Sequence, residues 1–464
     1  GCVSGKPGSS PGYDPLQFAI EECHKRGMEC HAWVVSVPVG RPNGTGPKNL
    51  KRRHPELLMK IGNEMFMKPE KKATADYIAN ICREITHNYD IDGIHLDYIR
   101  YPEELPKLKT LACDKGRDNI TRIVRTISRR VKSIKPWVKM SCSPIGKYDD
   151  TQRYWSRGWN ANTKVCQDAE LWLRDGLMDE LFPMMYFRDN DFFPFALDWK
   201  ERSHGRIVVP GLGIYFMSPR ERNWALSDIT RELEFLRTEG LGHAYFRSKF
   251  FTDDTKGIYQ YARNEYSQYT SLIPPMTWQS KTRPDAPQSL SITSNGNGTA
   301  LMSWRHNVAD TTMMLFNVYA STRYPVDTND ARNIIVARRQ CRQLIIPDND
   351  NIYYAVCATD RYGNESAALQ QPCHDYMATD ACSHSTATRN TMLPCDGTNV
   401  TLPHYTALAD ADFLIVESMQ QMAITTLPYR RTRTVSVSSL PRGVYILRTL
   451  NSKGVSHRVG MFRK

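Results

Sequence analysis

The sequence predicts an α/β chain of the (β/α)8 barrel type, followed by a β-sandwich and a small C-terminal β domain. Three observations predict it. Up to about residue 270, short strand-like runs alternate with amphipathic helix-like runs. No glycine-rich phosphate loop follows any of those runs, whereas carboxylate, histidine and aromatic residues stand at their C-terminal ends, where barrels build their active sites. After a proline-rich break at 274–287 (PPMTWQSKTRPDAP), hydropathy alternates with period two, as in strands with one buried face.

The expected strands of the first part are 28–37, 91–100, 137–144, 178–187, 207–216 and 242–250. Helices are expected over 14–26, 72–88, 116–134, 167–175, 224–239 and 254–269. Six β/α units in a row suit a doubly wound sheet or most of a (β/α)8 barrel, and the polar strand ends favour the barrel. Beyond the break, 288–294, 299–305, 315–321, 334–338, 342–346 and 352–359 read as short sandwich strands. The tail is β-like again and ends in a hairpin turning at Asn451–Gly454. The domains are therefore 1–273 (barrel), 284–372 (sandwich), 373–400 (polar linker) and 401–464 (small β domain).

A chain of 464 residues is too long for one ordinary core. Its hydrophobic fraction of 41% and charged fraction of 24% are those of globular protein. No apolar run approaches the ~20 residues of a membrane-spanning helix. The net charge of +12 comes from scattered clusters such as Lys51-Arg52-Arg53 and Arg129-Arg130. No zinc-finger, RNA-binding or helix-turn-helix pattern accompanies them, so nucleic acid is not an expected partner. None of the twelve cysteines forms a CxxC pair, which disfavours a zinc ribbon. Cys23, Cys30, Cys82, Cys113, Cys142 and Cys166 read as buried small hydrophobes. Cys341, Cys357, Cys373, Cys382 and Cys395 admit one or two disulfides if the protein is exported.

The segment richest in chemistry is DIDGIHLDYIRYP at 90–102. Side chains alternate along a strand, so Ile94 and Leu96 face the helices while Gly93, His95 and Asp97 face the interior. Asp97 stands near the C-terminal mouth. A carboxylate there needs either a partner, such as Arg100 or His95, or a catalytic task. Asp92 begins the strand and reads as a structural cap. His95 lies one inward step below Asp97, either orienting it or packing as a core histidine. On the strand at 28–37, His31 and Trp33 share one face, and Trp33 offers either a stacking surface for a sugar ring or ordinary packing. Ser141 and Ser143 point inward from the next strand, and Tyr186 and Tyr215 close two further ones. A catalytic carboxylate at such a mouth generally works with a second one. Asp189, Asp191, Asp149, Asp150 and Asp168 are all available, although Asp168 also reads as a helix N-cap.

PGYDPLQFAIEECHKRGMECHAW (11–33), DIDGIHLDYIRYP (90–102) and LWLRDGLMDELFPMMYF (171–187) resemble the bacterial glycoside-hydrolase-like family 10. The resemblance covers about 1–270 and implies a (β/α)8 barrel that hydrolyses a glycan, with Asp97 as the strand-four aspartate. It also implies that the strand at 28–37 is strand three, the first two being absent from this chain. Pro183-Met184-Met185-Tyr186-Phe187 departs from the family's PQ-x-Y-W pattern by lacking the glutamine. By analogy with retaining barrels whose acid follows strand six, Asp189 is the expected partner of Asp97. His31, Trp33, His95, Arg100, Tyr186 and Tyr215 are the expected substrate contacts, with no metal or organic cofactor. Residues 284–372 resemble a fibronectin type III domain through Leu301-Met302-Ser303-Trp304, Phe316-Asn317-Val318-Tyr319 and Tyr353-Tyr354-Ala355-Val356. The end of the chain, with Gly443-Val444-Tyr445, resembles the C-terminal sorting domains of Bacteroidetes. That implies a secreted, periplasmic or cell-surface protein, associated with the surface or outer membrane through its tail. A bacterial cell-wall glycan or a complex polysaccharide is the expected substrate.

Overall fold

The computed structural model describes residues 10–105, 113–156, 158–307, 313–371, 392–402, 411, 413–418, 423–429, 432, 434–450 and 456–464. The chain divides into two compact units, Gly1–Tyr259 and Gln260–Lys464.

The first unit is built on parallel strands taken in chain order. β1 (His31–Val35), β2 (Gly93–Asp97), β3 (Lys139–Cys142), β4 (Glu180–Leu181) and β5 (Ile207–Val208) form one sheet in that order. β6 (Gly211–Leu212) pairs in parallel with β7 (Ala244–Tyr245). Helices return the chain between neighbours: α1 (Pro15–His24) precedes β1, and α2 (Lys72–Asn88), α3 (Cys113–Lys132), α4 (Ala169–Arg174), α5 (Phe193–Glu201) and α6 (Leu226–Thr238) follow. The strand order never reverses, so the sheet lacks the switch point of a doubly wound fold. The α/β class is as expected. A closed barrel is not formed among the described residues, where β1 has β2 as its one neighbour in the sheet.

Local sequence explains the elements. α1 opens with Pro15 after Asp14, whose carboxylate caps Leu16 N and Gln17 N. α3 buries Ile120, Ile123, Val124, Ile127 and Val131, one stripe at helical spacing. The expected strands at 178–187, 207–216 and 242–250 shrink to two-residue pairings. Pro183 and Pro210 have no N–H for the ladder, and the chain then folds into a 3-10 turn at Ile214–Met217 and a helix at Ser248–Thr252. Between β1 and α2 the chain makes an unexpected excursion. Helix Thr45–Arg53 and a three-stranded antiparallel sheet (Pro38–Gly40, Leu58–Ile61, Glu64–Met67) enclose Leu57, Leu58, Met65 and Met67. Its hairpin turns on Gly62-Asn63, with φ of 55° at Gly62.

In the second unit, Gln288–Ser294, Thr299–Arg305 and Gln343–Pro347 form one sheet, and Ile334–Arg339, Met314–Ser321, Tyr353–Asp360 and Leu369–Gln370 another. Ala300, Met302, Trp304, Phe316, Val318, Tyr354 and Val356 form a common core. A four-stranded antiparallel sheet follows, ordered Ala423–Pro428, Phe413–Ser418, Val444–Leu450, Ser456–Arg463. Ile446 and Met461 of that sheet pack into the sandwich core. The turn expected at Asn451–Gly454, most of the 373–400 linker, Cys373 and Cys382 lie outside the described residues.

Candidate active site

The inward face of the parallel sheet carries two polar layers. At the strands' N-terminal end, Lys139 Nζ binds Glu29 Oε1 at 2.8 Å and Oε2 at 2.7 Å. His31 Nε2 lies 3.2 Å from Glu29 Oε2, and the carboxyl of Glu180 is buried near both cations. Burial alone depresses His31, but the Glu29 hydrogen bond and the Glu180 charge outweigh it and hold the imidazole above its ordinary pKa. Gly93 makes room for this ring, because a Cβ there would lie 2.5 Å from His31 Nδ1. His31 pairs in register with Gly93, at the opposite end of β2 from Asp97. The structure thus places His31 in a buried ionic layer rather than at the mouth.

One step up, His95 Nδ1 lies 3.0 Å from Ser141 Oγ and Nε2 2.7 Å from Ser143 Oγ. Burial, with His31 adding, pushes its pKa down to about 4. The ring is therefore neutral, donating to one serine and accepting from the other. Phe182 packs edge-on against it, with centroids 5.3 Å apart. His95 is thus a fixed floor under the mouth.

Asp97 closes β2 and is buried. Its Oδ2 accepts from Trp33 Nε1 at 3.2 Å, and its Oδ1 from Tyr98 N at 2.8 Å. The left-handed backbone at Tyr98, with φ of 50°, turns the chain at this point. Burial raises the Asp97 carboxyl above its usual range, against the lowering pull of the Tyr98 N–H, the Trp33 indole and the Arg100 charge. Arg100 is buried as well. Its guanidinium lies 4.9 Å from the Tyr98 ring centroid and 3.9 Å from Glu103 Oε2, and its Nη1 makes no hydrogen bond.

An aromatic wall completes the mouth. The ring of Tyr186 meets Tyr215 edge-on at 5.8 Å and stacks on Phe246 at 5.1 Å. Burial raises the Tyr186 phenol, with the Tyr215 and Asp97 charges contributing, so Tyr186 and Asp97 share one electrostatic environment. Gly213 admits Tyr186, since a Cβ there would lie 3.0 Å from the tyrosine Cβ. Trp33 stays 65% exposed and Tyr98 44% exposed, leaving flat apolar surface beside the carboxylate.

The structure therefore brings Trp33, His95, Asp97, Arg100, Tyr186 and Tyr215 together. Asp189 stands apart in its bonding. It begins a 3-10 turn, is exposed, and meets Arg231 Nη1 at 3.3 Å with no bond to Asp97. Asp168 caps α4 through Leu171 N, and Asp92 binds Cys30 N and His24 at the base of β2, both as expected. Phe246 and the Glu29–Lys139 pair were not foreseen. Phe246 follows the last strand, so the reasoning that chose Tyr186 and Tyr215 also selects it. Lys139 has the same inward parity as Ser141 and Ser143.

Comparison with known proteins finds relatives named glycosyl hydrolases. Glycosyl hydrolase YngK of Bacillus subtilis (strain 168) is 26% identical over 414 residues, 80% of either chain. Glycosyl hydrolase DigH of Escherichia coli (strain K12) is 30% identical over 214 residues, 40% of this chain and 49% of that protein, so the match spans about half of that relative's length. The glycoside hydrolase domain of PgaB (BpsB) from Bordetella bronchiseptica aligns over 53% of this chain and 77% of its own, at 10% identity and a TM-score of 0.37, a likeness too slight to carry weight. The family model glycosyl hydrolase-like 10 matches residues 1–113 and 105–216. Over residues 1–216 the chain is thus similar to the glycosyl hydrolase-like 10 family.

Proposed function

We propose that the first unit is a glycoside hydrolase acting on a polysaccharide, either a bacterial cell-wall glycan or another complex glycan. The observation that carries this reading is Asp97: a buried carboxyl at a strand's C-terminal end, gripped by two donors and facing exposed aromatic surface. A carboxylate so desolvated and oriented suits attack on, or stabilisation of, an oxocarbenium-like centre. Trp33, Tyr186, Tyr215 and Phe246 offer faces for sugar rings, and Arg100 tunes the carboxylate. Asp189 is assigned the second carboxylate. Five parallel strands in chain order, with a further parallel pair after them, are what most of a (β/α)8 barrel would present. We read the sandwich as a fibronectin type III-like spacer and the terminal sheet as a sorting-like tail, a reading under which the protein is secreted, periplasmic or at the cell surface.

One observation favours a second reading, a glycan-binding protein without catalysis: Asp189 is exposed and paired to Arg231 rather than to the mouth. The deciding experiment follows reducing-end release from peptidoglycan strands and plant and host polysaccharides by wild type, Asp97→Asn and Asp189→Asn. Release by wild type that falls by orders of magnitude in both variants supports the hydrolase and both assignments. A fall in Asp97→Asn alone removes Asp189 from the mechanism. Binding without release in all three proteins establishes the second reading.

A further inference from the structure

We propose that the helix Thr45–Arg53, in the excursion between β1 and α2, is a docking surface for an anionic polysaccharide. From Pro38 to Met67 the chain carries six Lys and Arg side chains against two carboxylates, Glu56 and Glu64. Both carboxylates face other groups: Glu64 Oε1 lies 3.8 Å from Arg41 Nε, and Glu56 Oε1 lies 3.6 Å from His54 Nδ1. Lys48, Lys51, Arg52 and Arg53 are all exposed, and among the described residues none of them has a carboxylate partner. Arg52 donates only to the Asn49 side-chain oxygen, at 3.3 Å. Lys48, Lys51 and Arg52 stand at i, i+3 and i+4 and so share one helix face, where like charges repel and weaken the helix. The helix dipole favours Lys51, Arg52 and Arg53 in the last turn, but Lys48 lies outside that turn and the mutual repulsion remains. The other helices of this unit are built differently. On α1, Lys25 and Arg26 share Glu22 at 2.7 and 2.6 Å. On α3, Arg130 meets Asp76 at 2.5 Å and Lys132 meets Asp179 at 2.7 Å.

The apolar side of this helix is already used. Pro47 is buried, and Leu50 packs on Leu57, Leu58, Met65 and Met67. No apolar face is left to enter a lipid surface, which a membrane-docking helix needs, so the partner is one that meets charge alone. The excursion also adjoins the mouth. Ser36 N donates to Asp97 O at 2.9 Å, and Met67 N to Val37 O at 2.8 Å. Val37, Pro38 and Phe66 line one cavity with Tyr98 and Arg100. Phe66 faces that cavity, while Met65 and Met67 beside it on the strand face the helix. The charged helix therefore lies across the small sheet from the mouth. A polymer of acidic sugars leaving the mouth would lay successive negative charges along it, and a short glycan would not reach it. This inference rests on the glycan reading of the mouth.

The test measures binding of the full chain to immobilised polygalacturonate, with dextran as the neutral control. The expected result is binding to polygalacturonate alone, weakening roughly 10- to 100-fold as salt rises from about 50 to about 200 mM, because each cation that meets the polymer releases a counterion. Lys48→Gln/Lys51→Gln/Arg52→Gln/Arg53→Gln keeps good helix formers. It should weaken low-salt binding by about tenfold or more and flatten the salt dependence. Lys115→Gln/Lys164→Gln/Lys281→Gln/Arg283→Gln removes the same charge from four other exposed positions and should bind as wild type does. Equal weakening by both variants, or by neither, would overturn the proposal. So would binding of phosphatidylglycerol vesicles without binding of the polysaccharide. Protection of Lys48 and Lys51 from acetylation by bound polygalacturonate reads the same contact in wild type, whatever the fold of the variants, and unprotected lysines in the bound protein would count against it. Reducing-end release, followed in the same samples, reports on the hydrolase reading separately. Binding without release keeps the docking surface and removes the catalysis, and release from a glycan of the panel without binding of polygalacturonate does the reverse.

Discussion

The indole N–H of Trp33 on β1 donates to Oδ2 of Asp97 on β2 across 3.2 Å, although 65% of the tryptophan surface is open to solvent. One side chain thereby orients the carboxylate and presents a flat face beside it. Trp33→Phe keeps much of the face and removes the donor. A hydrogen bond to a charged group contributes roughly 1.5–3 kcal/mol, so kcat should fall about 10- to 100-fold with KM little changed. Trp33→Ala should also raise KM. Steady-state kinetics on the best glycan of the panel checks both, and unchanged kcat in Trp33→Phe would remove the orienting role.

Asp97 should be a stability liability. Its folded carboxyl sits above its ordinary range because burial disfavours the charge. The folded state thus holds the proton more tightly than the unfolded chain, and ionisation at neutral pH costs stability. Asp97→Asn, inactive on the proposal above, should melt higher than wild type at neutral pH, by about 2–4 °C per kcal/mol gained. The gain should shrink as pH falls through the carboxyl range, where wild-type Asp97 becomes neutral. Thermal melts of both proteins between neutral and acid pH decide it, and a lower Tm for the variant at neutral pH contradicts the argument.

Much of this mouth is legible in the sequence because strand parity is local. Ile94 and Leu96 are fully buried on the helix side, while His95 and Asp97 point inward as alternation requires. The Asp92 and Asp168 caps follow from short-range rules as well. What local rules miss is partnership across strands. That Trp33 bonds Asp97, or that Glu29 meets Lys139 110 positions later, depends on register. The strand lengths failed for another reason. Apolar runs such as 207–216 satisfy a strand pattern, but Pro210 interrupts the ladder and the chain leaves it within a few residues.

The buried ionic layer gives a third test. Lys139 is almost fully buried between Glu29 and Glu180, with His31 as the other cation. Removing one partner of a buried pair leaves charge uncompensated, at about 3–5 kcal/mol. Lys139→Met should destabilise the first unit by that order. Lys139→Met with Glu29→Gln should recover part of the loss, because the stranded carboxylate is gone. Urea denaturation of wild type, both single variants and the double variant measures the coupling. Additive effects would show that the pair is not coupled.

Glu232 on α6 provides the sharpest pH dependence. It is 1% exposed, both its oxygens are buried without a hydrogen-bond partner, and burial, with the Asp228 and Asp189 charges, pushes its pKa up to about 9. Arg188 and Arg231 pull the other way. Because the folded pKa exceeds the ordinary 4.5, the folded state retains a proton that the unfolded chain releases. Its contribution to stability is therefore complete below pH 4.5 and is lost progressively as pH rises towards 9, at up to ~1.4 kcal/mol per pH unit. Glu232→Gln stays neutral throughout. It should match wild type in acid, within the cost of burying an amide, and become the more stable protein as pH rises into the alkaline range. Denaturation midpoints across that range distinguish the cases. Parallel pH profiles for the two proteins would mean that Glu232 is ionised and compensated in the fold, with Arg188 or Arg231 as its partner.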